Sequence, residues 1–228
     1  WKRYAPPETH EFLEMGKCKL TKEQKRDYDG IFTTVIPFES FTRYLNSKTK
    51  NKAPSVSGVR LDHVSSACES DRKLICSVLS LPYVTKHTFT TWDNEIINWI
   101  PKEPGNPDIH KRRPIALLEV LRKLAVGVKK DQVFKIWEKY NLIDKDNFAF
   151  QPGKFIHDPI LIKRMLLEDA VWLHKQLITL DVDYKAAFDR VPYFIKEMSL
   201  RRMGLPEDGI EMWCAHDQTR KQYVRTAY

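Results

Sequence analysis

Several features that would place the chain in a common class are missing from its sequence. No run of apolar residues approaches about 18 in length, so no transmembrane helix is predicted, and no signal-like apolar core follows Trp1. There is no low-complexity tract and no repeat with a period of roughly 20–50 residues. The four cysteines lack CxxC spacing, which predicts reduced intracellular thiols rather than a zinc site or a disulfide framework.

The composition is that of a globular, basic protein. Hydrophobic residues make up 42% of the 228 residues and aromatic residues 11%, enough for one or two cores and too many for a chain disordered throughout. Lys and Arg number 38 against 30 acidic residues, giving a net charge of +8 and a pI near 9.2.

Apolar spacing and turn residues predict an α+β fold, helix-rich at its N-terminus. The predicted helices cover 8–30, 37–48, 61–81, 117–140, 156–174, a short turn at 184–190, 192–203 and a last one opened by Pro206. The predicted strands cover 94–101, 113–118, 177–183 and 223–228. A turn at 102–107 joins the first two into a hairpin.

Carboxylates cluster where the predicted strand 177–183 ends. Asp181 and Asp183 are two residues apart and share one face of a strand, and Asp189 lies beyond the following turn. Carboxylates grouped in this way repel one another unless a hard cation such as Mg²⁺ lies between them. Alternatively, Asp189 caps the next helix and the other two are solvated.

Basic residues concentrate between Lys102 and Lys130. This stretch has eight Lys or Arg and three acidic residues, a local net charge of +5. A concentrated basic patch is typical of phosphate binding, and Arg113 before Pro114 is favoured for such a role. The alternative, a solvated helix face, is the expectation for Lys129 and Lys130.

A second basic stretch, residues 48–52, opens a loop broken by Pro54 and Gly58. Such a loop can track a nucleic-acid backbone, and a plain surface loop is an equal alternative.

Taken in order, five segments over residues 50–228 resemble the reverse transcriptase domain of retroelements, most closely the non-LTR retrotransposon type. Residues 51–59 resemble the family's NKAPGPDGI loop, although Ser55-Val56-Ser57 replaces Gly-Pro-Asp, a departure that indicates relaxed constraint. Residues 99–118 resemble the family's IPK and YRPISLL strands, with Arg112 in place of Tyr. Residues 148–158 resemble its GFRPGRS segment, and residues 183–191 resemble its first catalytic palm motif. Residues 203–206 and 224–228 resemble the stretch after that motif.

The resemblance implies a domain layout and site roles. Residues 1–49 would be a helical extension, 50–175 a fingers-like region and 176–228 part of a polymerase palm. Asp183 would be the catalytic, metal-binding carboxylate for Mg²⁺, if the protein is active. Nucleotide would be bound by Lys102, Arg113, Tyr184 and Phe188. Nucleic acid would be bound by Lys50, Lys52, Lys111, Arg112, Arg122, Lys123 and Lys154.

The family's Gln-Gly segment and Tyr-x-Asp-Asp hairpin do not occur in this sequence, so the chain by itself is expected to be inactive. The favoured hypothesis is therefore an RNA-binding structural subunit of a larger ribonucleoprotein, such as an organellar ribosome, with RNA and other protein subunits as partners and no cofactor. The alternative is the N-terminal half of an active RNA-directed DNA polymerase acting on an RNA/DNA duplex, completed by residues or a chain not shown. A third possibility is a partner-binding domain without nucleic acid.

A start without Met fits removal of an organellar transit peptide, and equally fits missing residues. The expected compartment is intracellular, with the mitochondrion slightly favoured over the nucleus, and no membrane partner is expected.

Overall fold

The chain divides into two units. The structure, a computed structural model, describes residues 18, 20–106, 108, 111–184 and 190–225, and of 216–218 only the backbone. The first unit comprises residues 1–136 and 193–228, and the second comprises residues 137–192.

The described part of the first unit contains most of the helices and a three-stranded sheet. In chain order its elements are α1 (Lys22–Lys25), continued by a 3₁₀ turn (Arg26–Tyr28), α2 (Phe38–Asn46), α3 (Leu61–Ser66), α4 (Glu69–Thr85), a 3₁₀ turn (Thr90–Asp93), β1 (Asn94–Pro101), β2 (Arg112–Leu118), α5 (Val120–Lys139), α7 (Tyr193–Arg202), α8 (Glu207–Thr219) and β3 (Lys221–Val224). The second unit contains the end of α5 and the helix α6 (His157–Trp172). A mixed α+β fold is therefore confirmed.

Local sequence explains where these helices begin and break. Thr21 caps α1: its hydroxyl accepts from the N–H of Gln24, and the Gln24 side chain accepts from the N–H of Thr21. The helix predicted over 61–81 is two helices, because Ala67 is extended between them. The weak helix formers Ser65 and Ser66 precede that break.

The sheet has the strand order β2-β1-β3, with β1 antiparallel to β2 and parallel to β3. The predicted hairpin is thus present. In the central strand, Glu95 is almost fully buried and accepts from the Gln222 side chain at 2.6 Å. Arg220 lies 3.6 Å from the same carboxylate oxygen, so Glu95 ties β3 to β1.

The core lies in the first unit. Helix α5 buries Leu124, Val128, Val133 and Ile136, as its apolar spacing predicts. The larger buried side chains of the first unit include Tyr28, Phe32, Phe41, Leu45, Leu79, Tyr83 and Ile210.

The expectation that Lys129 lies on a solvated face of α5 is wrong. Its side chain is 1% exposed, its ammonium group donates to the Thr34 carbonyl at 2.9 Å, and it lies 4.7 Å from the centre of the Tyr83 ring. Burial lowers the pKa of Lys129 to about 8. A carbonyl and an aromatic ring brought in from distant segments make this burial possible.

The second unit has no buried residue among those described between 137 and 192. The strand predicted over 177–183 is absent: this segment has no regular structure, and Ile178 is 93% exposed. A strand needs a neighbour for its backbone hydrogen bonds, and no strand pairs with this segment in the described chain. Instead, Lys163 of α6 holds Asp181 through an ion pair of 2.7 Å.

No helix in the described part of the chain combines the length and apolar character that crossing a membrane requires.

Candidate nucleic-acid interface

A cavity of about 540 Å³ opens between α2, the loop after it, α5 and the α7–α8 pair of the first unit. We call it the cationic cavity. Its lining residues are Tyr44, Lys48, Lys52, Ala53, Leu61, Leu118, Val120, Arg122, Lys123, Leu124, Val126, Gly127, Lys130, Lys196, Met212 and Trp213.

The charged side chains of this lining all carry the same sign. Six of the described lining residues are Lys or Arg, and none is Asp or Glu. They come from three segments: the loop after α2, helix α5 and helix α7. Cations gathered from separate segments produce a positive potential in a concave surface, which attracts phosphates.

Hydrogen bonds to the start of α5 fix the loop that carries Lys52. The hydroxyl of Ser57 donates to Glu119 at 2.5 Å, and the Ser57 N–H donates to the other carboxylate oxygen at 3.0 Å. Ser55, which is buried, donates to the Leu117 carbonyl at 2.6 Å. The serines at 55 and 57 therefore hold this loop.

The charges of Lys52 and Lys123 repel each other. The pKa of Lys123 is lowered first by burial and then by the charge of Lys52, while Glu119 acts in the opposite direction. A polyanion placed between these two ammonium groups would relieve that repulsion.

Two glycines let aromatic rings approach closely beside the cavity. A Cβ at Gly127 would lie 2.0 Å from the Tyr44 hydroxyl, so only glycine allows Tyr44 to pack on α5. A Cβ at Gly209 would lie 2.5 Å from the Phe32 ring, and Phe32 packs edge-on against Trp213 with ring centres 5.3 Å apart. Since glycine inside a helix costs about 1 kcal/mol relative to alanine, these close approaches account for its presence.

The predicted basic hairpin is a second positively charged surface. Lys102 directly follows β1, and its N–H donates to the Lys111 carbonyl at 2.9 Å. Arg112 pairs with Pro101 and Arg113 with Ile100 in the β1–β2 register. The structure therefore brings Lys102, Lys111, Arg112 and Arg113 together at one end of the hairpin, which we call the cationic hairpin.

The remaining predicted nucleic-acid residues have different surroundings. Lys52, Arg122 and Lys123 line the cationic cavity, and Lys50 is exposed two residues before Lys52. Lys154 belongs to the second unit, where its ammonium group donates to the Asn147 carbonyl at 3.1 Å and to the Lys145 carbonyl. Lys154 thus bridges a turn of its own unit.

The predicted catalytic residue Asp183 and the predicted nucleotide-binding residues Tyr184 and Phe188 belong to the second unit. Asp183 and Tyr184 are exposed in the irregular segment after α6, and Phe188 lies outside the described residues, as does Asp189. Within the described part of the chain, no group of three or more His, Cys, Asp or Glu is arranged to hold a metal ion.

Comparison with known proteins gives no relative: no family model and no curated protein matches the chain.

Sequence reasoning missed the part of the cavity that comes from distant segments. Tyr44, Lys196, Met212 and Trp213 line it together with Lys130, which was expected on a solvated face. The clearest signal in the sequence was Gly127 inside an otherwise strong helix pattern, because such a glycine indicates close packing.

Proposed function

We propose that the chain is an RNA-binding domain with the layout of a reverse transcriptase fingers region, and that it serves as a subunit of a ribonucleoprotein. The observation that carries the proposal is the cationic cavity, with six basic residues and no acidic residue in its described lining. Phosphates supply most of the affinity of a nucleic acid for a protein, and their recognition needs clustered Lys and Arg.

Two of the five segments that resemble the reverse transcriptase family support this proposal because they adjoin the cavity. The loop over 51–59 contributes Lys52 and Ala53, and the end of the 113–118 strand contributes Leu118. The cationic hairpin adds four more basic residues on the same unit. An RNA strand on the first unit therefore has two positively charged surfaces to contact.

The test is equilibrium binding of a fluorescent oligoribonucleotide across a salt series. Replacing four cavity lysines by Gln should weaken binding by at least tenfold and make the salt slope shallower by about 3. These substitutions are Lys48→Gln, Lys52→Gln, Lys123→Gln and Lys130→Gln. The matched control removes four exposed lysines elsewhere on the first unit: Lys22→Gln, Lys25→Gln, Lys135→Gln and Lys221→Gln.

The control variant should bind nearly as the native protein does. Equal loss in both variants would mean that only net charge matters and would contradict a defined interface. Binding that does not respond to salt would contradict phosphate recognition and would favour a protein-binding domain.

The second candidate function is one half of an RNA-directed DNA polymerase that uses Mg²⁺. It is favoured by Lys102 and Arg113 lying together at the end of the hairpin, because an Arg fork and a Lys suit a triphosphate. In the complete protein, Asp183→Asn should abolish nucleotide incorporation and leave RNA binding unchanged. Normal incorporation by that variant would exclude Asp183 as the metal ligand.

A further inference from the structure

We infer that the cationic cavity holds an unstacked nucleobase of single-stranded RNA, with the flanking phosphates bound by the lysines at its opening. This inference rests on the proposed RNA binding and goes further, because it assigns the base, and not only the backbone, to the site. Its basis is the chemistry of the cavity walls.

The interior of the cavity is mainly apolar. Besides its cations, the lining contains aliphatic and thioether side chains and two aromatic rings, which together come from five elements: Leu61, Leu118, Val120, Leu124, Val126, Met212, Tyr44 and Trp213. A surface that recognised phosphates alone would not need such walls. Proteins that bind unpaired bases combine an apolar or aromatic platform with a positively charged path for the backbone.

The size of the cavity suits one nucleotide. Its volume of about 540 Å³ lies within the range of roughly 300–1,000 Å³ typical of small-molecule sites. A stacked duplex presents its bases edge-on within grooves and cannot insert one without unpairing it. The geometry therefore favours a single strand over a duplex.

Trp213 contributes an aromatic ring to this wall. Its indole nitrogen has almost no accessible surface, so the ring, and not the N–H, is what Trp213 offers to a base in the cavity. Aromatic rings are the surfaces on which unpaired bases stack.

Lysines stand where the flanking phosphates would lie. Lys48 holds its ammonium group 3.8 Å from the centre of the Tyr44 ring, which joins a cation directly to an aromatic wall. Lys52 belongs to the loop that Ser57 and Glu119 anchor, and both Lys52 and Lys130 are exposed. A base inside the cavity would contact its apolar walls, and phosphates at the opening would pair with its lysines.

The experiment compares three 12-nucleotide probes on the native protein: an oligouridylate, the same sugar-phosphate backbone with every base removed, and a 12-base-pair RNA duplex. The oligouridylate should bind at least tenfold more tightly than either of the others. Equal affinity for the oligouridylate and the base-free strand would overturn the inference, although salt-dependent binding of both would keep the proposed function. Binding of none of the three would overturn both.

A variant that fills the cavity sharpens the test. Val126→Phe should lower oligouridylate affinity to that of the base-free strand, about tenfold, while leaving the salt slope and duplex binding unchanged. The matched control is Val78→Phe on α4, outside the cavity, which should bind as the native protein does. An unchanged affinity in a folded Val126→Phe variant would overturn the inference.

Uridine monophosphate distinguishes a strand from a free nucleotide as the source of the base. It should compete only at concentrations at least a hundredfold above those of the oligouridylate. Competition at equal concentration would mean that the site takes a free nucleotide, and would overturn its assignment to an RNA strand.

Discussion

The two units differ in how their apolar residues are used. In the first unit, helices and strands cover each other, and side chains such as Phe41 and Val133 are fully buried. In the second, α6 is rich in large apolar side chains, yet residues such as Met165 and Trp172 are more than half exposed. Helical pattern alone therefore does not make a core; a second layer must cover the apolar face.

The two units should also differ in what stabilises them. Tertiary packing should stabilise mainly the first unit, which also holds the cationic cavity. The following variants compare residues of matched type in the two units, in decreasing order of predicted effect.

The strongest contrast is between two phenylalanines. Phe41→Ala should lower the free energy of unfolding by about 3–5 kcal/mol, because Phe41 is fully buried and its loss leaves a cavity. Phe155→Ala, at a position 65% exposed in the second unit, should change it by less than about 0.5 kcal/mol. Urea denaturation followed by circular dichroism measures both, and equal effects would remove the distinction between the units.

The second contrast concerns buried and exposed lysines. The folded-state pKa of Lys129 is about 8, below its ordinary value of 10.5, so the folded protein binds this proton less tightly than the unfolded chain. The resulting destabilisation is complete below pH 8 and disappears as the pH rises to 10.5, so stability should rise over that window by up to about 3 kcal/mol.

The Lys129→Met variant isolates this effect. Its stability relative to the native protein should decline by that amount between pH 8 and 10.5, whatever the offset at pH 7. Lys163→Met, at an exposed ion pair of the second unit, is the control and should follow the native curve. Parallel curves for the Lys129→Met variant and the native protein would show that Lys129 is not buried in solution.

The third contrast concerns two carboxylates with hydrogen-bonded partners. Ser57→Ala should cost about 1–3 kcal/mol, because it leaves one oxygen of the buried Glu119 without its donor. It should also weaken RNA binding, since the same bond anchors the loop that carries Lys52. Glu168→Gln on α6 breaks an exposed pair with Arg164 and should change neither unfolding nor binding measurably. An unaffected Ser57→Ala variant would mean that the loop is held by other contacts.

The sequence predicted most of the secondary structure because helix and turn signals are local. The helix over Phe38–Asn46 and the hairpin of β1 and β2 fall within two residues of the predicted bounds, and Pro192 and Pro206 precede helices as expected. The prediction of a strand over 177–183 was wrong for a non-local reason. Its apolar residues have β propensity, but a strand forms only beside another strand.

The candidate site could be predicted only in part. Charge counting found Lys52, Arg122 and Lys123, because they belong to dense basic stretches. It could not find Tyr44 or Trp213, which lie 169 residues apart in the sequence and meet only through the packing of α2, α5 and α8. The burial of Lys129 was hidden for the same reason.

Binding of RNA by the first unit through the cationic cavity can be tested by crosslinking. The full chain is crosslinked to a 12-nucleotide RNA containing 4-thiouridine, and the crosslinked peptides are mapped. The crosslinked peptides should come from the cavity segments of the first unit: 44–53, 118–130 and 196–213. The Val126→Phe variant should lose these crosslinks and retain the fold. Crosslinks confined to residues 137–192 would contradict the assignment of RNA binding to the first unit, and crosslinks unchanged by filling the cavity would contradict the placement of a base inside it.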